Sequence, residues 1–89
     1  MTYQKRVAVL GSTGSIGIQT LDLIRRYPSR FAAHVLTARQ SSDLLIRQAL
    51  EFKPAAVVLT EEKAWKCVRE ALSGADIQVL YGSEAIKEV

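Results

Sequence analysis

The stretch VAVLGSTGSIGIQTL, residues 7–21, joins a short apolar run to a helical pattern through three evenly spaced glycines. The apolar run, Arg6–Leu10, is too short for a helix and does not alternate, as expected of a strand buried on both faces. From Ser15 onward, apolar residues recur every three or four positions as far as Pro28, which predicts a helix. The glycines therefore lie in a strand-to-helix turn: Gly11, Gly14 and Gly17.

The rest of the chain repeats this alternation of strand and helix. Short apolar runs predict further strands at residues 32–37, 55–59 and 77–81. Connections this short require neighbouring strands to be parallel. The prediction is an α/β fold of the Rossmann-like, doubly wound type, with about four parallel strands and helices on both faces, in three α/β/α layers.

The helix ends are predicted from capping residues. Ser41 or Ser42 can cap the N-terminus of the second helix, and Pro54 ends it. Thr60 is a candidate N-cap for the third helix, and Gly74 closes that helix. A further helical pattern begins at Ser83 and stops at the last residue without a C-cap. We therefore expect the 89 residues to be the front piece of a longer polypeptide.

Composition narrows the class of protein. A chain of 89 residues, 48% hydrophobic and 24% charged, is typical of one ordinary globular domain. Residues 1–6 lack the apolar segment of a signal peptide, and no apolar run approaches the length of a membrane span, so we expect a cytoplasmic protein without a membrane partner. The single cysteine, Cys67, excludes an internal disulfide and is predicted to be a buried small hydrophobe.

The net charge of +3 does not by itself indicate a polyanion partner. The basic residues lie at the ends of elements, little aromatic surface accompanies them, and no nucleic-acid-binding motif is present. We predict no nucleic-acid partner.

The glycine turn has the chemistry of a phosphate site. A helix N-terminus offers unpaired backbone N–H groups and a partial positive charge. Gly11 permits the sharp turn, Gly14 leaves a phosphate clear access, and Gly17 lets the helix pack close to the sheet. Compared with the dinucleotide fingerprint G-x-G-x-x-G, one extra residue adds a backbone donor between Thr13 and Ile16.

Hydroxyl groups in the turn add further donors, from Ser12, Thr13 and Ser15. The turn is not a Walker A loop, since Ile18 and Gln19 follow Gly17 where Lys and Ser or Thr are required. The alternative is a tight turn that binds no ligand.

The end of the second predicted strand distinguishes between cofactors. NAD-binding units have an acidic residue there to accept hydrogen bonds from the ribose hydroxyls. This chain instead has Arg39, Gln40 and Ser41, and a guanidinium with neighbouring hydroxyls suits a 2′-phosphate. The pattern favours NADPH, unless Arg39 is simply a solvent-facing loop residue.

No residue pattern in the sequence indicates a catalytic site. His34, the only histidine, lies within a predicted strand and is interpreted as structural, and Trp65 as helix packing. No carboxylate pair, metal-ligand cluster or activated nucleophile is evident, so we predict neither catalytic nor metal-binding residues in this chain.

Two segments carry a resemblance to a known family. The segments VLGSTGSIGIQTLDLIRRYPSRF, residues 9–31, and QALEFKPAAVVL, residues 48–59, closely resemble the opening of 1-deoxy-D-xylulose 5-phosphate reductoisomerases. The likeness spans nearly the whole chain, with the most specific motif in its first third. By position, Thr13, Gly14, Ser15 and Ile16 match family residues that contact the cofactor phosphates. After the second strand the family has Gly, then Lys or Arg, then Asn, whereas Arg39, Gln40 and Ser41 stand here.

The resemblance implies an N-terminal NADPH-binding domain, of which residues 1–89 would be the first part. The family converts 1-deoxy-D-xylulose 5-phosphate to 2-C-methyl-D-erythritol 4-phosphate in non-mevalonate isoprenoid biosynthesis, with NADPH and a divalent metal, Mg or Mn. Its members are usually homodimers, and their metal ligands and sugar-phosphate site lie outside the matching region. This chain alone is therefore expected to be inactive and to hold no metal.

Two other functions remain open on sequence grounds. One is a free-standing module that binds or senses NADP(H), and the other is the cofactor domain of a different dehydrogenase, such as one like aspartate-semialdehyde dehydrogenase. The different-dehydrogenase alternative is disfavoured by the Ser-Ile-Gly ending of the turn and by Leu21-Asp22.

Overall fold

The computed structural model describes residues 4–82 and shows strands and helices in strict alternation. The helical pattern that begins at Ser83 lies outside these described residues. The elements are β1 Lys5–Val9, α1 Ser15–Arg26, β2 Phe31–Ala38, α2 Ser42–Phe52, β3 Ala56–Leu59, α3 Glu62–Ala71 and β4 Gln78–Tyr81.

All four strands pair in parallel, in the order β1-β2-β3-β4. The α/β class and the Rossmann-like parallel sheet are confirmed. Short β-α-β connections permit no other pairing direction, because each helix must bring the chain back to the edge where the previous strand began.

The placement of the helices differs from the expectation. Residues from all three helices share one buried cluster with the sheet, so within residues 4–82 the helices cover a single face. Each crossover advances the strand order in the same direction, and right-handed crossovers of that kind all fall on one side. Helices on both faces require the order to reverse, which does not happen among β1–β4, so this part has two layers rather than three.

The core explains why the strands read as continuous apolar runs. All four residues of β3 are buried, and its Val57 and Leu59 belong to the cluster beneath the helices. On the opposite face, Val35, Ala56 and Val58 form a second buried cluster. Strands with both faces buried do not alternate between apolar and polar residues.

The predicted helix ends are partly confirmed. Pro28 follows shortly after the end of α1, whose last turn carries Arg25 and Arg26 against the negative end of its dipole. Ser41 occupies the N-cap position of α2, although its side chain makes no capping hydrogen bond. The helix α2 ends at Phe52, and its C-cap Lys53, directly before Pro54, has a left-handed conformation with φ 48°.

The predicted caps of α3 were wrong. Its N-cap is Glu61 rather than Thr60, whose N–H donates to Ala38 O at 3.3 Å and so remains tied to the end of β2. At the other end, α3 stops at Ala71, and Leu72 turns into the core with 2% of its surface exposed. Gly74 lies beyond the end of the helix and does not have the left-handed φ of a glycine C-cap.

Cys67 is exposed, contrary to the prediction of a buried thiol. The buried face of α3 runs through Ala64 and Val68, and the residue before Val68 points about 100° away from that face. Trp65 packs as predicted, stacked on Tyr81 with 5.3 Å between ring centroids. Among residues 4–82, no helix has both the length and the apolar character needed to cross a membrane.

Candidate functional site

The turn between β1 and α1 is shaped by its first glycine and anchored to β2. Gly11 has φ 67°, a left-handed conformation that favours glycine. Its N–H donates to Thr37 Oγ1 at 2.8 Å, and the N–H of Ser12 donates to Thr37 O at 2.8 Å. The neighbouring strand thus fixes where the chain leaves the sheet.

The third glycine brings the helix against the turn, as the sequence predicted. A Cβ atom on Gly17 would lie 2.2 Å from Gly11 O and 2.6 Å from Ser12 Cα, distances that no side chain permits. Only a hydrogen atom at this position lets α1 start so close to the end of β1.

Gly14 has no comparable structural requirement. It is the N-cap of α1 with φ −84°, and a Cβ atom there would meet only Gly11 O, at 3.4 Å. The fold therefore tolerates a side chain at this exposed position, and the space in front of Gly14 is open to a ligand.

Ser12 does not contribute a hydroxyl to this open space, contrary to the sequence prediction. Its side chain is fully buried, and Oγ donates to Gln48 Oε1 at 2.7 Å. Gln48 Nε2 donates in return to Ser12 O at 2.8 Å. Two polar groups buried together each need a partner, and here they satisfy one another.

The remaining donors of the turn lack a partner in the described part of the chain. Gly14 N–H bonds to Gly11 O at 3.0 Å, and no acceptor within residues 4–82 takes the N–H groups of Thr13, Ser15 or Ile16. The first turn of α1 also has no acidic residue and no side-chain cap, whereas α2 and α3 each begin with an acidic residue. This helix end therefore presents unpaired donors and an uncompensated positive dipole, which together attract an anion.

Two side chains of the turn stay accessible beside these donors. Thr13 is half-buried and Ser15 is exposed, and neither hydroxyl takes part in a hydrogen bond within the described part of the chain. Ile16, the next residue, is 80% exposed.

The second predicted loop lies at the same edge of the sheet. Arg39, Gln40 and Ser41 are exposed and follow β2, the strand that pairs with β1. The N–H of Glu61 donates to Arg39 O at 3.1 Å, which fixes the backbone of the loop. No carboxylate within residues 4–82 forms an ion pair with the Arg39 guanidinium, so its charge is available to an anionic ligand.

A groove of about 510 Å³ lies away from this edge. It runs between α1 and α2, and its lining includes Asp22, Arg25, Arg47 and Glu51. Arg25 is already paired with Asp22 and Glu51. We take the turn as the candidate site, because its backbone donors are unpaired and Gly14, Ser15 and Ile16 are exposed.

Sequence reasoning missed two residues that shape the site, Thr37 and Gln48. Both carry a readable signal, because each is a polar residue inside an apolar pattern. Thr37 is 5% exposed near the end of an apolar strand, and Gln48 is 7% exposed on the same helix face as Leu45 and Ala49. A polar residue on a buried face needs a partner, and here the partner is the turn.

The other residues considered for chemistry do not extend the site. His34 lies half-buried within β2, and its backbone O accepts the N–H of Ala55 at 2.8 Å. Among residues 4–82, no three His, Cys, Asp or Glu side chains gather closely enough to hold a metal ion.

Comparison with known proteins gives one consistent result. The family model for 1-deoxy-D-xylulose 5-phosphate reductoisomerase matches residues 7–89. The reductoisomerase of Porphyromonas gingivalis is 47% identical over 85 residues, which is 96% of this chain and 22% of that protein. That of Phocaeicola vulgatus is 41% identical over 86 residues, which is 97% of this chain and 22% of that protein.

Solved structures agree with the sequence relatives. The Zymomonas mobilis reductoisomerase in complex with NADPH superimposes with a TM-score of 0.89 at 34% identity, covering 97% of this chain and 23% of that one. A reductoisomerase in complex with NADPH, fosmidomycin and magnesium gives 0.88 at 33% identity, covering 96% and 21%. The chain thus spans about a fifth of the length of its relatives. The family model covers nearly the whole chain, the sequence relatives are more than 40% identical, and the solved structures share its fold. This chain therefore belongs to the 1-deoxy-D-xylulose 5-phosphate reductoisomerase family.

Proposed function

We propose that this chain is the first part of an NADPH-binding domain and that the Gly11–Gly17 turn holds the diphosphate of the cofactor. The observation that carries the proposal is the set of outward N–H groups of Thr13, Ser15 and Ile16 at an uncapped helix end. The hydroxyls of Thr13 and Ser15 add donors beside them. The NADPH-bound relative, whose fold matches over 97% of this chain, supports the same assignment.

Arg39 is proposed to bind the 2′-phosphate that distinguishes NADPH from NADH, with Gln40 and Ser41 beside it. The guanidinium is exposed, unpaired within residues 4–82, and lies at the carboxyl edge of β2. A planar guanidinium forms paired hydrogen bonds with phosphate oxygens. An acidic residue at this place would instead favour the free ribose hydroxyls of NADH.

Calorimetry with NADPH and NADH tests the cofactor assignment. The wild-type chain should bind NADPH more tightly, and Arg39→Glu should weaken NADPH binding about 30-fold or more while leaving NADH within about threefold. Arg47→Glu is the matched control, because it makes the same charge change at an exposed position of α2. Equal affinity of the wild type for the two nucleotides, or no binding of either, contradicts the assignment.

We further propose that the protein of which this sequence is a part is a cytoplasmic homodimer. It converts 1-deoxy-D-xylulose 5-phosphate to 2-C-methyl-D-erythritol 4-phosphate, with NADPH and Mg or Mn. Family membership supports this activity, for which NADPH when bound supplies the hydride. The donors for the metal are proposed to lie elsewhere in the protein, since residues 4–82 bring no suitable group of side chains together.

A chimaeric enzyme tests this activity. We expect that replacing the matching 85-residue segment of the Porphyromonas gingivalis enzyme with this chain preserves NADPH oxidation that depends on the sugar phosphate. The chimaera carrying Arg39→Glu should require more NADPH for half-maximal rate. A chimaera that folds and binds NADPH but does not turn over contradicts the proposed activity.

A further inference from the structure

The buried pair of Ser12 and Gln48 joins the turn to α2 from beneath. Ser12 Oγ donates to Gln48 Oε1 at 2.7 Å, and Gln48 Nε2 donates to Ser12 O at 2.8 Å. Ser12 is 0% exposed and Gln48 only 7%, so water does not compete for these bonds. Gln48 also lines the groove between α1 and α2, and neither side chain belongs to the exposed Gly14–Ile16 segment of the turn.

The turn is consequently held by two side chains that it does not contain. Thr37 accepts the N–H groups of Gly11 and Ser12, and Gln48 engages the hydroxyl and carbonyl of Ser12. The residue that follows, Thr13, is the first with an outward N–H group. The direction of the free donors therefore depends on how Ser12 is held.

We propose that Gln48 is a positioning residue for nucleotide binding: by fixing Ser12, it sets the geometry of the N–H groups that meet the cofactor diphosphate. This inference rests on the proposed NADPH-binding function. Because α2 begins at Ser42, the Arg39–Ser41 loop, which holds the second predicted cofactor contact, leads directly into this helix. Gln48 thereby connects the turn proposed to bind the diphosphate with the loop proposed to bind the 2′-phosphate of the same adenosine.

The test separates this role from a merely structural one. Gln48→Met keeps the length of the side chain and removes both hydrogen bonds. Val68→Ala is the matched control, because it destabilises the core on α3, away from the turn. Unfolding in urea and NADPH affinity are measured for each variant of the 89-residue chain.

We expect Gln48→Met to weaken NADPH binding about tenfold, whereas Val68→Ala, at an equal or greater loss of stability, stays within about twofold of wild type. In the ligand-free protein, Gln48→Met should also shift the amide resonances of Thr13, Ser15 and Ile16. Ser12→Ala combined with Gln48→Met should bind no more weakly than Gln48→Met alone, since both remove the same link.

Each contrary result has a distinct meaning. Absent NADPH binding by the wild type overturns the proposed function and this inference with it. A folded Gln48→Met variant that binds as well as wild type overturns only the inference, as does Val68→Ala weakening binding equally. Should Gln48→Met not fold, Ser12→Ala decides: binding several-fold weaker than wild type supports the inference, and unchanged binding overturns it.

Discussion

The glycines of the turn differ in what the fold requires of them. Gly17 is required by packing, because a Cβ atom there would sit 2.2 Å from Gly11 O. Gly14 has an ordinary φ and room for a Cβ atom, so packing does not require a glycine there. Under the proposed function, Gly17 serves stability, whereas Gly14 leaves the cofactor diphosphate clear access.

Two alanine substitutions separate these roles. Gly17→Ala should lower the free energy of unfolding by at least about 2 kcal/mol, because backbone atoms must move. Gly14→Ala should cost less than about 1 kcal/mol of stability yet weaken NADPH binding about tenfold, because its methyl group occupies the phosphate approach. Urea unfolding and calorimetry measure both, with Gly74→Ala as the control, since nothing lies within 4 Å of a Cβ atom there. Loss of stability without loss of affinity in Gly14→Ala would refute the binding role.

The roles of individual residues were only partly predictable from sequence. The turn conformation of Gly11 and the close packing at Gly17 follow from the strand-glycine-helix pattern, which is local in sequence. The burial of Ser12 is not local, since it depends on Gln48 in another helix. A hydroxyl predicted from sequence to donate to phosphate can therefore instead form a hydrogen bond with a residue distant in sequence.

At the scale of elements, α1 and α2 are joined by an ion pair at the side of the groove. Arg25 binds Glu51 through both carboxylate oxygens, with 2.9 Å between Nη2 and Oε1, and also contacts Asp22 at 3.3 Å. The hydrogen bonds from Arg25 lower the pKa of the Glu51 carboxyl below its ordinary value of 4.5. The guanidinium also lies over the Phe52 ring, 5.2 Å from its centroid.

This pair predicts a specific dependence of stability on pH. A carboxyl whose pKa is lower in the folded state stabilises the fold above its unfolded pKa, and that contribution is lost as the pH falls through the folded pKa. The difference in unfolding free energy between wild type and Glu51→Gln should therefore be greatest near neutral pH and decrease as the pH falls below the ordinary pKa of the carboxyl. In an Arg25→Met background the same comparison should no longer show this pH dependence. A wild-type advantage that persists at the acidic end contradicts the assignment.

Element positions were well predicted, and their ends less so. Periodicity located all seven described elements, because apolar spacing directly reflects which face is buried. The N-terminus of α3 was predicted wrongly because the N–H of Thr60 bonds to Ala38 O, a contact between residues distant in sequence. Its C-terminus was predicted wrongly because Gly74 does not have the left-handed φ of a C-cap. Cys67 was misassigned because it lies one helical position away from the buried Val68.

At the scale of the whole molecule, the strand order determines where the helices lie. Sequence predicts that the strands are parallel, but not whether their order reverses, because reversal depends on which edge each new strand joins. Residues 4–82 advance from β1 to β4 without reversal and so carry their three helices on one face. The turn after β1 and the loop after β2 nevertheless lie at one carboxyl edge, the place where such sheets bind ligands.

The carboxyl edge of the sheet is proposed to bind NADPH through the free N–H groups of the turn. This proposal is tested by amide NMR spectra of the ¹⁵N-labelled chain, recorded during titration with NADPH. We expect saturable shifts at Thr13, Ser15 and Ile16, with a further response at Arg39 that NADH does not produce. Shifts confined to the groove between α1 and α2, or no shifts at the turn, would contradict it.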